Sequence, residues 1–148
     1  TVESLPPAIT TDIICGFPTE TQEDFEETIK IASQSKYLHM HIFPYSIRTG
    51  TAAARWNQLS PEVVQERVRR LLELDHELSL AYRQQLLHRS VKVLLEQQSE
   101  EEGQMKGRCD HYAEISLQTN AQIGAIVEAK VTQVQSGKTV AQPTLQIL

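Results

Sequence analysis

The chain has 148 residues, with 14 lysines and arginines against 19 aspartates and glutamates, and a formal net charge of −5. This length suits one ordinary domain or two small ones. The negative charge excludes bulk attraction to nucleic acid, so any RNA contact must come from a local basic patch. No apolar run approaches the roughly 20 residues that a membrane-spanning helix needs. We therefore expect no membrane association.

Cysteine usage gives a second restriction. Cys15 and Cys109 are the two cysteines of the chain and lie far apart in sequence. This count provides neither a disulfide framework nor the spacing of a metal site. We expect both to be buried thiols in a reducing compartment, the cytoplasm. No metal site and no catalytic residue are assigned within the chain.

The first predicted elements form a βαβ unit. The run ITTDIIC at residues 9–15 is β-branched and apolar, which indicates a buried parallel strand. Thr19 or Thr21 can cap the helix that follows, whose first turn is acidic. A second short strand is predicted at residues 38–43. Because one such unit leaves strand edges unpaired, we expect the chain to be a piece of a larger α/β protein.

A turn-rich loop at residues 44–60 leads to a long amphipathic helix. The Ser-Pro pair at positions 60 and 61 is a strong helix start. Apolar residues then recur at spacings of three, four or five, which predicts up to about seven turns with a break near His88. The sequence therefore changes from alternating elements to a single long helix at this point.

From Arg89 onward, short alternating segments predict the strands of a small β-barrel. In the longest of them, residues 126–133, even-numbered residues face one way and odd-numbered residues the other. The SGK sequence that follows predicts a hairpin turn. The predicted fold class is therefore α/β followed by all-β.

Four segments resemble the tRNA methylthiotransferases of the radical S-adenosylmethionine (SAM) class. The run TTDIICGFPTETQEDFEETI resembles a strand and helix in the second half of their barrel, and HIFPYSIRTGTAAAR resembles its last segment. The helix SPEVVQERVRRLLELDHELSLAYRQQLL resembles their linker helix. The final 60 residues resemble the TRAM domain, an OB-like RNA-binding module. The pattern HIFPYSxRxGTxAA looks most like the branch that acts on threonylcarbamoyladenosine in tRNA.

This resemblance implies a domain organisation and an activity. Residues 1–58 would form part of a TIM-like radical SAM barrel, residues 59–88 a linker helix, and residues 89–148 a TRAM β-barrel. The intact enzyme would methylthiolate threonylcarbamoyladenosine next to the anticodon, using SAM and two 4Fe–4S clusters. The family's CxxxCxxC motif and the three cysteines of its auxiliary cluster are absent here, and thiolates must hold such clusters. We therefore expect a C-terminal fragment that binds no cluster, is inactive alone and retains tRNA binding.

Two other hypotheses stay open. The chain could be a stand-alone RNA-binding module that keeps a vestigial βαβ unit, or a structural partner that completes a barrel with another chain. In the first interpretation the partner is the tRNA anticodon stem-loop, and we expect a monomer.

The end of the first strand carries the predicted SAM-pocket residues, because α/β folds bind ligands at the carboxyl ends of their strands. The resemblance assigns this role to Gly16, Phe17, Pro18 and Glu20. The alternative is a plain strand-to-helix turn. The family usually has Gly where this chain has Thr19, which predicts an altered local turn if that position needs a positive φ.

The end of the second strand carries the predicted substrate-binding residues Tyr45, Ser46 and Arg48. Arg48 can pair bidentately with a carboxylate or phosphate, and Tyr45 can stack on a base or donate a hydrogen bond. Phe43 is expected to pack, and Arg48 could instead be solvated. His39 and His41 face one way on the strand and are expected to be hydrogen-bonded rather than metal ligands.

Three arginines lie near the start of the long helix, accompanied by Glu62, Glu66 and Glu73, and two of the three lie three or four residues from Glu66 and Glu73. Ordinary surface pairing explains Arg67, Arg69 and Arg70, with RNA contact as the alternative.

The last predicted site is an RNA-binding surface on the β-barrel. From residue 89 onward there are six basic and seven acidic residues, so charge alone does not favour RNA. The segment GRCDHY resembles a TRAM motif, with Cys109 where the family usually has Thr. Cations can neutralise phosphates and aromatic rings can stack on unpaired bases. The predicted RNA-binding residues are Lys92, Lys106, Arg108, His111, Tyr112 and Lys130. For Tyr112, a place in the barrel core is the alternative.

Overall fold

The computed structural model describes residues 5–100 and 103–144. The chain divides into two compact units, Ile9–Ser79 and a second unit that begins at Leu80 and includes the segment before Ile9. The predicted fold class is confirmed, since a βαβ unit and a long helix precede a closed β-barrel. Within the described ranges, no helix combines the length and apolarity required to cross a bilayer.

The βαβ unit contains β1 (Thr10–Cys15), α1 (Gln22–Ser35) and β2 (His39–Pro44). The two strands are parallel, with Thr10 opposite His39 and Cys15 opposite Pro44. Thr21, rather than Thr19, caps α1. Its hydroxyl accepts the Asp24 N–H at 3.1 Å while the Asp24 carboxylate accepts the Thr21 N–H at 2.8 Å. This reciprocal capping box fixes where the helix begins.

The two faces of this sheet differ in burial. One face is covered, and Cys15 packs there in a core with Phe25 and Leu71. The opposite face exposes Ile14 at 62% and Phe43 at 51%, and these two residues are register partners. An apolar pair exposed side by side on a sheet is typical of a surface that contacts another molecule or chain segment.

A short 3-10 turn, Ala53–Arg55, precedes the long helix α2 (Pro61–Gln84). The helix begins at the predicted Ser-Pro pair, and the Ser60 carbonyl accepts the Val64 N–H at 3.2 Å. It ends at Gln84, and hydrogen-bonded turns lead to His88, whose φ is 66°. A non-glycine residue in this left-handed region marks a chain reversal rather than a continuing helix.

Five strands form the barrel: β3 (Ser90–Gln98), β4 (Gln104–Cys109), β5 (Glu114–Gln118), β6 (Ile126–Gln135) and β7 (Lys138–Pro143). They close in the order β3-β4-β5-β7-β6. β5 and β7 are parallel, and the other neighbours are antiparallel. Closure gives each strand two neighbours, so the barrel leaves no full strand edge unpaired.

The alternation of side chains along each strand determines which residues fill the barrel interior. In β6 the odd-numbered residues Val127, Ala129 and Val131 are buried and their even-numbered neighbours are exposed, as predicted. The predicted alternation does not continue to Gln133, which is exposed because the register shifts after Val131. In β5 the alternation fails, because Ile115, Ser116 and Leu117 are all buried. The wall is also tight at one point of β4, where a Cβ added to Gly107 would lie 2.1 Å from the Leu94 carbonyl oxygen.

Candidate functional site

The parallel pairing of β1 and β2 brings both predicted strand-end segments to one edge of the sheet. The Tyr45 N–H donates to the Cys15 carbonyl at 2.8 Å, so the pairing continues into the loops. Gly16 adopts a φ of 79°, and a Cβ there would lie 2.8 Å from Val64 Cγ2. Glycine is therefore required both by the backbone conformation and by the close approach of α2. Thr19 lies outside the left-handed region, so the turn accommodates it without the strain expected from sequence.

An aromatic cluster forms at this edge. The Phe17 ring makes edge-to-face contacts with Tyr45, at 5.2 Å between centroids, and with Trp56, at 5.8 Å. Such contacts stabilise ring orientation beyond simple apolar burial. Trp56 did not appear among the predicted site residues. A lone tryptophan in a turn-rich loop beside an aromatic strand end was the signal that could have found it.

The cluster borders a groove of about 430 Å³. Its lining residues are Ile14, Phe17, Phe43, Pro44, Tyr45, Ser46, Arg48, Thr51 and Ala53. Among the described residues, the buried Tyr45 hydroxyl has no hydrogen-bond partner. Apolar and aromatic walls with a guanidinium suit a flat, partly polar ligand such as a nucleoside. The structure thus brings together Phe17 and all three predicted substrate-binding residues, including Ser46.

Glu20 lies beneath the turn rather than on the groove wall. Its carboxylate accepts the Gly16 N–H at 3.1 Å and forms an ion pair with Arg67. The same guanidinium donates to the Glu20 backbone carbonyl at 3.1 Å. Arg67 is only 5% exposed. This places a buried charge pair under the strand-end turn, where it holds Gly16 in its conformation.

The helix arginines bind within the unit. Arg69 pairs with Glu66 and Glu73 on the helix surface, as expected. Arg70 pairs with Glu26 of α1 at 2.6 and 3.0 Å. The hydrogen bond from Arg70 is the main reason that the pKa of Glu26 lies below its usual value. The expectation of a surface position is wrong for Arg67, which is buried.

The strand histidines also have local roles. His39 Nδ1 lies 3.1 and 3.2 Å from the two carboxylate oxygens of Asp75, and the His41 ring contacts the His39 ring at 4.4 Å. Asp75 is buried and also accepts the Met40 N–H at 2.6 Å. In the part of the chain that the structure describes, no three potential ligands gather into a metal site.

The predicted RNA-binding residues lie on the barrel strands β3, β4 and β6 and on the turn between β4 and β5. Lys92 on β3 and Lys130 on β6 are exposed, with Lys92 opposite Glu128 and Ser90 opposite Lys130. Within the described residues, neither lysine forms an ion pair. Both can therefore bind an incoming anion without first breaking such a pair.

Two other predicted barrel cations also lie near acidic residues. Arg108 lies 3.7 Å from Glu96. Lys106 is half-buried and lines a separate polar groove with Glu100 and Glu114. These carboxylates reduce the attraction of that surface for phosphate groups.

The turn between β4 and β5 exposes Tyr112. This residue is 67% exposed and has a φ of 59°. Its N–H donates to the Cys109 carbonyl at 2.8 Å. The alternative that Tyr112 belongs to the barrel core is wrong. An exposed ring held by a tight turn can stack on an unpaired base.

The two cysteines do not fit an iron–sulfur cluster. Cys15 is 1% exposed on β1 and Cys109 is 5% exposed at the end of β4. Burial raises the pKa of each thiol, which disfavours the thiolate that iron ligation requires. No cluster-dependent step is therefore assigned to residues of this chain.

Comparison with known proteins adds the decisive observation. No family model matches the chain. The chain is 39% identical over 129 residues to the threonylcarbamoyladenosine tRNA methylthiotransferase MtaB of Bacillus subtilis, an alignment that covers 84% of this chain and 29% of the relative. The chain is homologous to the tRNA methylthiotransferases. The resemblance predicted from its motifs is thereby confirmed.

Two further relatives are named for a different substrate. The tRNA-2-methylthio-N(6)-dimethylallyladenosine synthase of Protochlamydia amoebophila is 43% identical over 103 residues, which is 68% of this chain and 23% of the relative. The enzyme of that name from Alkaliphilus oremlandii is 47% identical over 89 residues, which is 60% of this chain and 19% of the relative. The chain thus spans less than a third of the length of each of these relatives.

Proposed function

We propose that this chain is part of a tRNA methylthiotransferase. In this proposal the groove at the strand ends binds the reacting groups, and the barrel binds the tRNA. The strongest support is the homology of the chain to methylthiotransferases. The chain also has both an aromatic groove and a closed barrel. The proposed substrate is threonylcarbamoyladenosine next to the anticodon. The proposed setting is the cytoplasm, and the proposed assembly is a monomer bound to an anticodon stem-loop.

The groove supports this substrate on chemical grounds. Tyr45 offers aromatic surface to the adenine ring of the substrate. Arg48 can donate two parallel hydrogen bonds to a carboxylate. A threonylcarbamoyl group carries a carboxylate, whereas a dimethylallyl group is a hydrocarbon. Arg48 therefore favours the first modification over the second.

SAM is proposed to bind beside the substrate at the turn after β1, where Phe17 would offer its ring to the adenine of the cofactor. When bound in the intact enzyme, SAM supplies the radical and the methyl group of the reaction. The residues of this chain contribute binding and orientation. Gly16 shapes the turn, and the buried pair of Glu20 and Arg67 keeps that turn in place.

The barrel is proposed to bind the body of the RNA. Lys92 and Lys130 are exposed cations on neighbouring strands, and Tyr112 presents a free ring. Because acidic residues are about as numerous as basic ones, we expect weak binding that decreases with salt.

A second candidate function is an RNA-binding module that acts alone. The closed barrel favours it, because the barrel pairs its own strand edges and has its own core. The two candidates differ in what the βαβ unit does. In the first it binds the reacting groups, and in the second it has no ligand.

A chimera distinguishes them. The corresponding residues of the Bacillus subtilis relative are replaced by this chain, and the chimera is expressed in cells that lack the native enzyme. Mass spectrometry of digested tRNA then measures the 2-methylthio derivative of threonylcarbamoyladenosine. We expect the product to be restored, lost with Arg48→Gln and retained with Arg69→Gln, which removes a charge from an exposed pair.

The other outcomes are equally informative. A chimera that accumulates, folds and binds RNA but makes no product would contradict the enzymatic proposal and favour the module. Product on dimethylallyladenosine alone would retain the enzyme and contradict the proposed substrate.

A further inference from the structure

The amino-terminal end of β3 carries a pocket that the proposed function does not yet use. It measures about 350 Å³ and is lined by Leu5, His88, Arg89, Ser90 and His111. All of these residues belong to the barrel-containing unit. Among the described residues, no carboxylate lines it. Its wall therefore combines a guanidinium, a hydroxyl and two imidazoles with one apolar side chain.

Backbone hydrogen bonds hold one wall of this pocket. The His88 N–H donates to the Val131 carbonyl at 2.9 Å, and the Val131 N–H donates to the Arg89 carbonyl at 2.9 Å. The Arg89 N–H donates to the Leu86 carbonyl at 2.9 Å, which closes the turn after α2. Because the main chain is bonded on both sides of Arg89, the side chain extends from a fixed position.

The turn between β4 and β5 holds the other wall. The Asp110 N–H donates to the Lys92 carbonyl at 3.0 Å, and the Lys92 N–H lies 3.4 Å from an Asp110 carboxylate oxygen. These two contacts hold the turn against β3, with His111 beside Ser90. They also direct the Asp110 carboxylate to a backbone N–H of β3, so the nearest acidic residue in the turn already has a donor.

Two exposed lysines extend the positive character of this end of the barrel. Lys130 is the register partner of Ser90, and Lys92 is two residues further along β3. The next residue after His111 is Tyr112, whose ring is exposed. Cationic and hydroxyl donors next to an aromatic ring match the alternation of phosphate and base along a single strand of RNA.

We infer that this pocket binds a backbone phosphate of single-stranded RNA, with Arg89 as its main donor and an adjacent base on Tyr112. A guanidinium has five N–H donors, so Arg89 can hold a phosphate and keep its other contacts. Ser90 and His111 supply further donors to the same oxygens. This inference rests on the proposed RNA binding of the barrel and assigns it a location.

The test measures RNA affinity against salt for the full chain and three variants, using an unstructured oligonucleotide without terminal phosphates. We expect Arg89→Gln to weaken binding roughly tenfold and to lower the log–log salt slope by about one. Arg89→Lys should restore the slope and only part of the affinity, because it keeps the charge and loses the bidentate geometry. Arg69→Gln is the matched control and should bind like the parent chain.

A second measurement does not depend on any variant folding. Amide resonances of the parent chain are followed during addition of the oligonucleotide and, separately, of inorganic phosphate. The inference expects the Arg89, Ser90 and His111 amides to shift with RNA. RNA binding without these shifts, or shifts confined to the polar groove around Lys106 and Lys138, would overturn it. Saturation of these amides by phosphate that RNA cannot displace would overturn the RNA assignment.

The two proposals fail in different ways. If the parent chain binds no RNA under any salt condition, the proposed function of the barrel fails. If it binds RNA and Arg89→Gln binds equally well with an unchanged slope, only the pocket assignment fails.

Discussion

The two units use their strands in opposite ways. The barrel closes five strands on one another and buries alternate side chains in the first part of β3 and of β6, among them Val93 and Val131 at 0% exposure. The βαβ unit pairs two strands, covers one face of them, and exposes Ile14 and Phe43 on the other. Burial of apolar surface is the main favourable contribution to folding, so we expect the barrel to be the more stable unit.

The difference also separates two kinds of binding surface. The groove at the strand ends of the βαβ unit is aromatic and apolar, with Arg48 as its guanidinium. The barrel presents scattered cations and an exposed ring on a rigid closed sheet. The first arrangement suits one small flat ligand, and the second suits an extended polyanion.

The largest expected effect comes from adding a side chain where β3 and β4 pack closely against each other. Gly107→Ala would place a Cβ 2.1 Å from the Leu94 carbonyl oxygen, so β3 and β4 would have to separate. We expect the barrel to lose its cooperative unfolding transition in circular dichroism. Gly137→Ala is the control, because its Cβ meets nothing within 4 Å and only the φ of 75° opposes it, at a cost of about 1–2 kcal/mol. Similar unfolding curves for both variants would contradict the close packing of the wall.

The next effect compares two isoleucines. Ile115 in the barrel is 0% exposed and Ile14 on the open sheet face is 62% exposed. Ile115→Ala should lower the free energy of unfolding by about 2–5 kcal/mol, since it leaves a cavity. Ile14→Ala should change it by about 0.5 kcal/mol or less. Chemical denaturation measures both, and a large loss for Ile14→Ala would show that the open face is covered in solution.

A smaller effect concerns the charge pair beneath the strand-end turn. Arg67→Met removes the charged partner of Glu20 and should destabilise the βαβ unit by about 1–3 kcal/mol, because a half-buried carboxylate then keeps only the Gly16 N–H as a donor. Arg69→Met breaks only exposed pairs and should cost less than about 1 kcal/mol. Equal losses of unfolding free energy for the two variants, in thermal or chemical unfolding, would mean that the pair of Glu20 and Arg67 does not stabilise the turn.

The smallest effect is a pH dependence common to both units. Burial raises the pKa of Cys15 and of Cys109 above the ordinary value of 9.0. The unfolded thiols therefore lose their protons first as pH rises. Their stabilising contribution is complete below pH 9 and is lost as pH increases through the folded pKa values. Unfolding midpoints measured from pH 7 to pH 10 should fall, and Cys15→Ser with Cys109→Ser should reduce the dependence.

Local rules predicted the elements of the structure well. The Ser-Pro pair before α2, the acidic first turn of α1 and the alternation along β6 each depend on neighbours within a few residues, and each was found. The βαβ order and the small barrel were predicted in the same way. The parallel pairing of β5 with β7, which closes the barrel, depends on residues far apart in sequence.

The surroundings of the predicted site residues were less predictable for the same reason. Tyr45 and Arg48 follow one strand and line one groove, as their place at a strand end suggested. Arg67 and Asp75 are buried on α2 and bind groups more than 30 residues away. A signal was present, since both occupy the apolar stripe of the helix near Val68 and Leu71. A charged residue in such a stripe predicts a buried partner without identifying it.

The left-handed positions of His88 and Tyr112 show the same limit. Non-glycine residues seldom adopt a positive φ, so local propensity does not single out these two positions. Both conformations are fixed by backbone hydrogen bonds, from His88 to Val131 and from Tyr112 to Cys109. The exposed ring of Tyr112 therefore became evident only from the assembled turn.

The most direct test of the division of tasks is a filter-binding salt titration of the full chain with tRNA. We predict a log–log slope of about −2 to −3 for the parent chain, and a slope smaller in magnitude by about two for the double variant Lys92→Ala and Lys130→Ala. The double variant Lys30→Ala and Arg69→Ala removes the same charge from α1 and α2 and should leave the slope unchanged. Equal slopes for all three proteins, or binding that ignores salt, would contradict the assignment of RNA binding to the barrel.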